Sequence, residues 1–319
     1  MIGVNYLNMK KFFVAIVGPT ASGKSDLAVE VAQRIGGEIV SADSMQIYKY
    51  MNIGTAKPSS EMLAQVKHHM IDIVEPSEEF SVAMFKDKVT AIMHEIINRG
   101  KIPVIVGGTG LFIRSLTDQV DYSDFSSDDS YRVFLTELAQ QHGNDYLHER
   151  LHRIDPTIAE KLHANDLRRI IRALEVYRFT GKKLSQWQCE ALSSKSEWEY
   201  SIIGITASDR ALLYARIEQR VDEMIANGFI EEVKMLLERG FNDKLQSMQA
   251  IGYKHLIQYL KGVLSLEEAI ELIKRDSRRY AKRQLTWFRR DERIAWYFTD
   301  KQSRDEITAE IVKIIKTSN

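Results

Sequence analysis

The stretch GPTASGKS, Gly18–Ser25, carries the pattern G-x-x-x-x-G-K-[ST] of a phosphate-binding loop. In such a loop the backbone N–H groups point inward at phosphate oxygens, Lys24 supplies a compact positive charge, and the Ser25 hydroxyl suits Mg²⁺. A glycine-rich turn without a ligand is the alternative. We predict that the whole loop binds a diphosphate. The loop consists of Gly18, Pro19, Thr20, Ala21, Ser22, Gly23, Lys24 and Ser25.

An apolar run and an amphipathic segment flank this loop. Phe12–Gly18 predicts a buried parallel strand, and Ser25–Ile35 predicts a helix whose N-terminal dipole faces the phosphates. Strands and helices go on alternating through the first third of the chain. This order predicts an α/β fold, a P-loop NTPase-like parallel sheet with helices on both faces. Further strand patterns lie at Glu38–Asp43, His69–Glu75, Lys101–Gly108, Tyr200–Ser208 and Arg293–Thr299, and a helix pattern at Ser81–Gly100.

The alternation stops near residue 120. Asp118–Ser130 is polar and acidic, which predicts a linker, and residues 131–181 are charged and helical without a strand pattern. We expect residues 120–199 to form an all-helical insertion domain. Residues 1–119 and 200–319 then form the α/β core with a helical C-terminal part.

The composition is that of an ordinary globular protein, with 44% apolar and 28% charged residues. The 44 basic residues equal the 44 acidic ones, so the net charge indicates no partner. The single cysteine, Cys189, permits no intrachain disulfide and favours a reducing compartment. No apolar run has the length of a membrane span, and the N-terminus lacks a secretory signal pattern. We therefore expect a cytoplasmic protein without membrane contact, and the histidine spacing indicates no zinc site.

Polar residues follow the predicted strands at the edge where parallel sheets bind ligands. Asp43 is a candidate general base or acceptor contact, although it can also cap the segment after it. Thr109, in the sequence GGTG (Gly107–Gly110), offers a hydroxyl, and a tight strand-to-helix turn explains the same glycines. Asp72, within the third strand pattern, is a weaker candidate for an acidic group directed at a metal.

Arg216 and Arg220 are four residues apart on a predicted helix and so share a face. They can clamp a diphosphate. They can equally pair with Glu218 and Glu223 on a solvated face, and the sequence leaves both interpretations open.

Two basic runs indicate a nucleic-acid partner. Lys161–Lys183 contains seven basic and two acidic residues, and Lys274–Arg293 contains nine basic and three acidic ones. Aromatic residues, Tyr280, Trp287 and Phe288, are interleaved in the second run. Basic stretches with aromatics suit a phosphate backbone and unstacked bases, whereas a single run of this kind is usually only a solvated face.

Six segments together resemble the tRNA dimethylallyltransferase (isopentenyltransferase) family. The resemblance extends from about Phe13 to Phe298 and is to the bacterial type, since the zinc finger of some eukaryotic members is not found. The segments are GPTASGKS, SADSMQIYKYMNIGTAKPS (Ser41–Ser59), HHMIDIVEP (His68–Pro76), VGGTGLF (Val106–Phe112), NDLRRIIRALEVYRFTGK (Asn165–Lys182) and AIGYKH (Ala250–His255).

The resemblance implies transfer of a dimethylallyl group from dimethylallyl diphosphate to N6 of adenosine 37 in the anticodon loop of tRNA. The products are N6-isopentenyladenosine and pyrophosphate. It assigns Lys24 and Arg220 to the departing pyrophosphate, Asp43 to the N6 proton, and Thr109 to the neighbourhood of the leaving oxygen. It also implies Mg²⁺ at Ser25. We further expect the protein to be a monomer.

The resemblance assigns three segments to tRNA contact. They are Asp43, Ser44, Met45 and Gln46; Arg168, Arg169, Ile170, Ile171 and Arg172; and Met248, Gln249, Ala250, Ile251, Gly252 and Tyr253. Two other functions use the same loop: a small-molecule kinase with ATP as donor and Asp43 as base, and a nucleic-acid-binding protein with the loop as a nucleotide switch. The basic insertion disfavours the kinase, and the segment Asp43–Lys57 disfavours the switch.

Overall fold

The computed structural model describes residues 11–118, 129–193 and 198–318. The chain divides into two compact units, one formed by Met1–Leu116 with Glu197–Asn319 and the other by Thr117–Ser196. The second unit thus begins at residue 117, against 120 in the sequence-based boundary, and ends at 196, against 199.

The first unit is built on a parallel sheet, as the alternation of strands and helices predicted. Its strands are β1 (Phe12–Val17), β2 (Glu38–Ser41), β3 (His68–His69), β4 (Pro103–Gly107), β5 (Glu199–Thr206) and β6 (Ile294–Phe298). The spatial order is β3-β2-β4-β1-β5-β6, with every neighbouring pair parallel. Because β1 lies in the interior of the sheet, the loop that follows it has strands on both sides.

Helices connect these strands. They are α1 (Lys24–Ile35), α2 (Ser60–Gln65), α3 (Val82–Asn98) and α4 (Gly110–Thr117) before the second unit, and α10 (Arg210–Ala226), α11 (Phe229–Glu238), α12 (Tyr253–Leu260), α13 (Leu266–Phe288) and α14 (Arg304–Ser318) after it. A short 3₁₀ turn, Ser247–Gln249, precedes α12.

The central strand β1 is completely apolar because both of its faces are covered. Alternate residues from Phe12 to Ile16 pack with α1 and α14 on one face. The other set, from Phe13 to Val17, packs with residues of α3, α11, α12 and α13 on the opposite face. The prediction of helices on both faces of the sheet is therefore confirmed.

The described residues of the second unit are helical. They form α5 (Asp129–His142), α6 (Asn144–Ile154), α7 (Pro156–Ala159), α8 (Leu167–Thr180) and α9 (Leu184–Ser193) around an apolar core that includes Leu135, Leu151 and Leu174. A buried carboxylate stabilises this unit. Asp155 accepts hydrogen bonds from the N–H groups of Ile158 and Ser185, at 3.3 and 2.8 Å.

One local prediction was wrong, and another extends two residues too far. The third strand, predicted at His69–Glu75, consists only of His68–His69, because Met70 and Asp72 have φ of 63° and 55° and cannot continue a ladder. Asp72 is exposed and forms an ion pair with Lys57. The predicted linker Asp118–Ser130 falls mostly outside the described residues, but Asp129 and Ser130 already belong to α5.

Candidate active site

The phosphate-binding loop lies between β1 and α1, at the carboxyl edge of the sheet. Gly18 is close to β5, since a Cβ at this position would lie 2.1 Å from the carbonyl oxygen of Ile205. Gly23, which precedes α1, has φ of 83°, in the region that favours glycine. The loop motif is thus explained by a close backbone approach and a left-handed turn.

A cavity of about 450 Å³ opens beside this loop. Its volume falls within the roughly 300–1,000 Å³ that is typical of small-molecule sites. Three of the four predicted catalytic residues line it, Lys24, Asp43 and Arg220, together with Thr20 and Ser25 of the loop. The cavity therefore offers cations, hydroxyls and one carboxylate to a single ligand.

Lys24 faces the cavity in an environment that weakens its hold on its proton. Burial, and then the positive charge of Arg220, lower the pKa of the Lys24 ammonium to about 8, although Asp43 acts in the opposite direction. Its Nζ donates a hydrogen bond to the carbonyl oxygen of Pro19 at 3.2 Å. An anion in the cavity would restore the missing counter-charge.

The two arginines of α10 do not act as one clamp. Arg220 lines the cavity and donates a hydrogen bond to the Thr20 hydroxyl at 3.3 Å. Arg216 instead donates to the Thr299 hydroxyl at 2.9 Å and lines a second cavity of about 320 Å³, where Ala21, Ser22 and Gly23 lie. Only Arg220 lies beside the loop, so contact with a diphosphate stays a prediction for Arg220, and Arg216 does not share this position.

Asp43 lies two residues after the end of β2 and is half-buried. Its Oδ1 accepts a hydrogen bond from the N–H of Met45 at 2.9 Å, which closes a turn over the residues after the strand. Residues 44–50 form turns and a bridge, so Asp43 caps a turn and not a helix. The opposite charges of Lys24 and Arg220 are close enough to act on it.

Thr109 contacts the site through its neighbours. Its hydroxyl accepts a hydrogen bond from the N–H of Ser44 at 3.1 Å, so it helps to hold the turn that presents Asp43. The glycines around it allow close packing: a Cβ on Gly108 would lie 2.1 Å from Nε2 of Gln284, and one on Gly110 2.2 Å from the ring of Trp287. The sequence GGTG is thus a turn against which α13 packs.

Two residues of α13 were not identified as site residues from the sequence. Gln284 is buried and bridges two loops, accepting from the N–H of Thr20 at 3.0 Å and donating to the carbonyl of Gly108 at 2.9 Å. Tyr280, one turn earlier, lines the cavity. Burial, and then the negative charge of Asp43, raise the pKa of Tyr280 to about 12. Their i,i+4 spacing was visible, but Tyr280 was assigned to the nucleic-acid run.

That basic run on α13 is partly neutralised. Lys274 pairs with Asp222 at 2.7 Å, and Arg278 pairs with Glu218, both on α10. Of its aromatic residues, Phe288 is buried in the core and Trp287 is 37% exposed. Exposed basic side chains lie near the end of the helix and just after it: Lys282, Arg283, Arg289 and Arg290.

The three segments assigned to tRNA contact contain both exposed and buried residues. Ile170 and Ile171 belong to the core of the second unit, and Met248 and Tyr253 to the core of the first. These four side chains are at most 5% exposed, so they cannot present themselves to RNA. This corrects their assignment as contacts through side chains.

Gly252 is buried as well, and the other members of these segments are accessible. Arg168 and Arg169 are exposed on α8, whereas Arg172 lies 3.7 Å from the buried carboxylate of Glu175. In the first unit, Ser44, Met45, Gln46, Gln249, Ala250 and Ile251 line the cavity beside Asp43.

A magnesium ion has few candidate protein ligands in the described part of the chain. No group of three or more His, Cys, Asp or Glu side chains is placed there to hold a metal. The Ser25 hydroxyl lines the cavity next to Lys24, as in a site where phosphate oxygens and water complete the octahedron. The residues present thus fit Mg²⁺ only together with a phosphate ligand.

Comparison with known proteins places this chain in a family. The family model described as IPP transferase matches residues 46–291. This chain belongs to the IPP transferase family. It is 54% identical to a tRNA dimethylallyltransferase of Carboxydothermus hydrogenoformans over 304 residues, which cover 95% of this chain and 97% of the relative. The family resemblance predicted from the six motifs is confirmed.

Solved structures of the family have the same fold. The tRNA isopentenylpyrophosphate transferase of Bacillus halodurans superposes with a TM-score of 0.72 at 45% identity, covering 97% of this chain and 96% of that one. A eukaryotic dimethylallyltransferase, described as acting on tRNA, superposes with a TM-score of 0.79 at 28% identity, covering 96% and 80%. Among the described residues, no helix combines the length and apolar character that crossing a membrane requires.

Proposed function

We propose that this protein transfers the dimethylallyl group of dimethylallyl diphosphate to N6 of adenosine 37 in the tRNA anticodon loop. One observation carries the proposal: the cavity that holds Lys24 and Arg220 at the phosphate-binding loop also contains the carboxylate of Asp43. Relatives of about half-identical sequence bear the name tRNA dimethylallyltransferase.

The donor binds with its diphosphate on the loop. As the bond between C1 and the diphosphate oxygen breaks, both electrons of that bond go to the leaving pyrophosphate. Lys24 and Arg220 lie where this negative charge increases, and cations that are fixed before reaction stabilise such a transition state without reorganisation. The allylic C1 carries partial positive charge as the bond opens.

The acceptor amine approaches from the side of Asp43. The N6 lone pair is delocalised into the purine ring, so the amine is a weak nucleophile. As N6 bonds to C1, it gives one proton to the Asp43 carboxylate, which removes the developing positive charge. The turn closed by Met45 and Thr109 holds this carboxylate at the cavity wall.

Tyr280 also lines the cavity. Its raised pKa keeps the phenol protonated at neutral pH, so it can only enter the reaction as a hydrogen-bond donor or as packing. We therefore assign the proton transfer to Asp43 alone.

Magnesium would be held by the Ser25 hydroxyl and the diphosphate. When bound, it supplies further positive charge to the leaving group. The buried Ser22 hydroxyl, which has no hydrogen-bond partner among the described residues, also favours a loop that is completed by a ligand.

The tRNA must present a base that is unstacked from the anticodon loop, because N6 cannot reach the cavity from within a stack. Exposed Arg168 and Arg169 on the helical unit, and the exposed basic residues at the end of α13, suit its phosphates. We place the reaction in the cytoplasm, in keeping with the single cysteine and the tRNA substrate, and we propose that the enzyme acts as a monomer.

The test uses unmodified tRNA, Mg²⁺ and the purified protein with either labelled dimethylallyl diphosphate or γ-labelled ATP. We expect the prenyl label on adenosine 37 and no label from ATP on the RNA. A matched tRNA with guanosine at position 37 should remain unlabelled. The proposal would be refuted if the wild-type protein did not transfer the prenyl label to the tRNA that has adenosine at position 37.

A further inference from the structure

A buried carboxylate on α11 binds a segment that is distant in sequence. Glu232 is 7% exposed, and its Oε2 accepts hydrogen bonds from the N–H groups of Asn52 and Ile53 at 2.8 and 2.7 Å. Its Oε1 accepts from the N–H of Gly54 at 3.2 Å and from the Tyr253 hydroxyl at 2.6 Å. One carboxylate thus has four donors from two separate segments.

This arrangement is specific for a negative charge. Three successive backbone N–H groups converge on one anion, which is the geometry of an anion nest. A buried carboxylate is costly unless its lone pairs are used, and here all four donors supply that compensation. Lys57 lies near enough for its charge to act on the same carboxylate. Burial, and then the negative charge of Glu232, raise the pKa of Tyr253, so its hydroxyl remains a donor.

The first segment that Glu232 holds forms part of the cavity wall. Gly54, Thr55 and Ala56 line the cavity. The Gln46 side chain donates to the carbonyl oxygens of Thr55 and Ala56, at 3.3 and 3.0 Å. Because Gln46 belongs to the turn after Asp43, a displacement of residues 52–56 would also displace that turn.

The second segment is residues 248–253, which ends at Tyr253. Gln249, Ala250 and Ile251 line the same cavity. Packing brings the segments together as well, since a Cβ on Gly54 would lie 2.2 Å from the ring of Phe229 and 2.6 Å from that of Tyr253. Glu232 thus fastens two walls of the acceptor side, although it does not itself line the cavity.

We propose that Glu232 is a positioning residue that holds the segments 43–57 and 248–253 in the geometry that admits the acceptor adenosine. The proposal rests on the proposed function, because it takes these segments to receive tRNA. It predicts that disturbing Glu232 impairs the use of tRNA far more than the use of the prenyl donor, whose phosphate loop is held independently by Gln284.

Glu232→Gln tests the charge at nearly constant shape. An amide has a single acceptor oxygen, so its NH₂ group must face either the Asn52 and Ile53 N–H pair or the Gly54 and Tyr253 pair. The two donors of that pair then face the NH₂ group, which is itself a donor, and the loop must shift. Glu231→Gln is the matched control, since Glu231 is the preceding residue of α11 and is exposed.

Steady-state kinetics with each substrate varied, together with tRNA binding in the absence of donor, give the decisive comparison. For Glu232→Gln we expect the KM for tRNA and the Kd for tRNA to rise about 10- to 100-fold, the effect of losing a hydrogen bond to a charged group. The KM for the donor should change less than about threefold, and Glu231→Gln should match the wild type within the same margin.

Tyr253→Phe removes one donor and leaves the carboxylate and three N–H groups, so it keeps the test open if Glu232→Gln does not fold. We expect a rise of about 2- to 10-fold in the tRNA KM with the fold retained. A folded Glu232→Gln variant with a lower melting temperature but an unchanged tRNA KM and Kd would show that Glu232 is only structural. If Glu232→Gln does not fold, the same result for Tyr253→Phe would show this. Absence of prenyl transfer by the wild type would instead refute the proposed function.

Discussion

Lys24 and Asp43 are the two residues whose charges the reaction uses in opposite ways. Lys24 must be protonated to attract the diphosphate, and Asp43 must be ionised to accept a proton. They line one cavity, and the negative charge of Asp43 favours the charged form of Lys24. Arg220 disfavours the positive charge on Lys24. An anionic ligand therefore shifts the protonation equilibrium of Lys24 toward the charged ammonium.

Lys24 gives donor binding a pH dependence. With a pKa of about 8, the ammonium is charged below that pH and the donor binds well. As the pH rises above about 8, the free enzyme loses this proton, so affinity falls by up to about tenfold per pH unit. The diphosphate does not contribute, because a phosphate's last pKa is about 6.

Calorimetric titration of the donor without tRNA, from pH 7 to 9.5, measures this effect. Lys24→Ala should weaken binding about 10- to 100-fold at pH 7 and remove the pH dependence. Lys24→Arg should retain part of the affinity and also be independent of pH. A wild-type affinity that stays constant up to pH 9.5 would contradict the assignment.

Asp43→Asn keeps the turn, because the amide oxygen can still accept from the Met45 N–H, but it cannot take up the N6 proton. We expect kcat to fall roughly 10²- to 10⁴-fold, the usual effect of removing a positioned base. Single-turnover transfer to adenosine, at saturating donor and tRNA, is the measurement.

Asp72→Asn is the matched control for this change, since Asp72 follows the neighbouring strand but pairs with Lys57 outside the cavity. Its rate should fall less than about tenfold. Near wild-type transfer by Asp43→Asn would leave Asp43 as a turn-forming residue only, and the general-base mechanism would have to be given up.

At the scale of elements, the loop, the helix after it and the parallel order of the sheet followed from local patterns. Each of those patterns lies within about twenty neighbouring residues. The contacts that shape the site do not: Gln284 bonds Thr20 across 264 positions, and Glu232 bonds Gly54 across 178. No periodicity signals such pairs, which explains why Tyr280, Gln284 and Glu232 were missed.

Strand β2 begins with a buried charge that fixes the edge of the sheet. Glu38 accepts from His69 on β3 and from Arg99 and Lys101 before β4, at 2.7, 2.8 and 2.9 Å. Burial alone would raise the pKa of Glu38, but these three hydrogen bonds lower it to about 2. The carboxylate thus joins three neighbouring strands at their amino ends.

Because the folded pKa of Glu38 is lowered, its contribution to stability is present above the unfolded pKa and is lost as the pH falls toward 2. Glu38→Gln should lower the free energy of unfolding by about 1–3 kcal/mol at pH 7, as expected when buried donors lose a partner. The difference from the wild type should shrink between about pH 4.5 and 2.

Thermal unfolding at several pH values tests this expectation. Glu95→Gln is the control, since Glu95 pairs with the same Arg99 at 3.9 Å but is 66% exposed, and it should change stability by less than about 0.5 kcal/mol. A difference between Glu38→Gln and the wild type that is constant down to pH 2 would show that the charge of Glu38 does not stabilise the sheet.

At the scale of the whole molecule, a net charge of zero conceals an uneven distribution. Helix α8 buries its apolar face in the core of the second unit, while Arg168 and Arg169 stand exposed on it. Arg172 lies on the same helix but is close to the carboxylate of Glu175, which also accepts from Arg132 at 3.1 Å. The arginines of α8 therefore differ: Arg168, Arg169 and Arg178 are exposed, whereas Arg172 forms an ion pair with the buried Glu175.

The double variant Arg168→Ala/Arg169→Ala tests whether the exposed pair binds the phosphates of tRNA. Each phosphate contact that is lost should lower the slope of log K against log salt by about 0.9. We therefore expect weaker tRNA binding at low salt and a slope smaller by about one to two, with donor affinity unchanged. The measurement is tRNA binding from 50 to 300 mM salt.

Arg153→Ala is the control, because Arg153 is 74% exposed and pairs with Glu149 on α6. The fold should persist, since the core residues of α8 are untouched. A slope equal to that of the wild type would mean that Arg168 and Arg169 form only a solvated face, and the tRNA contacts would have to be sought at the end of α13.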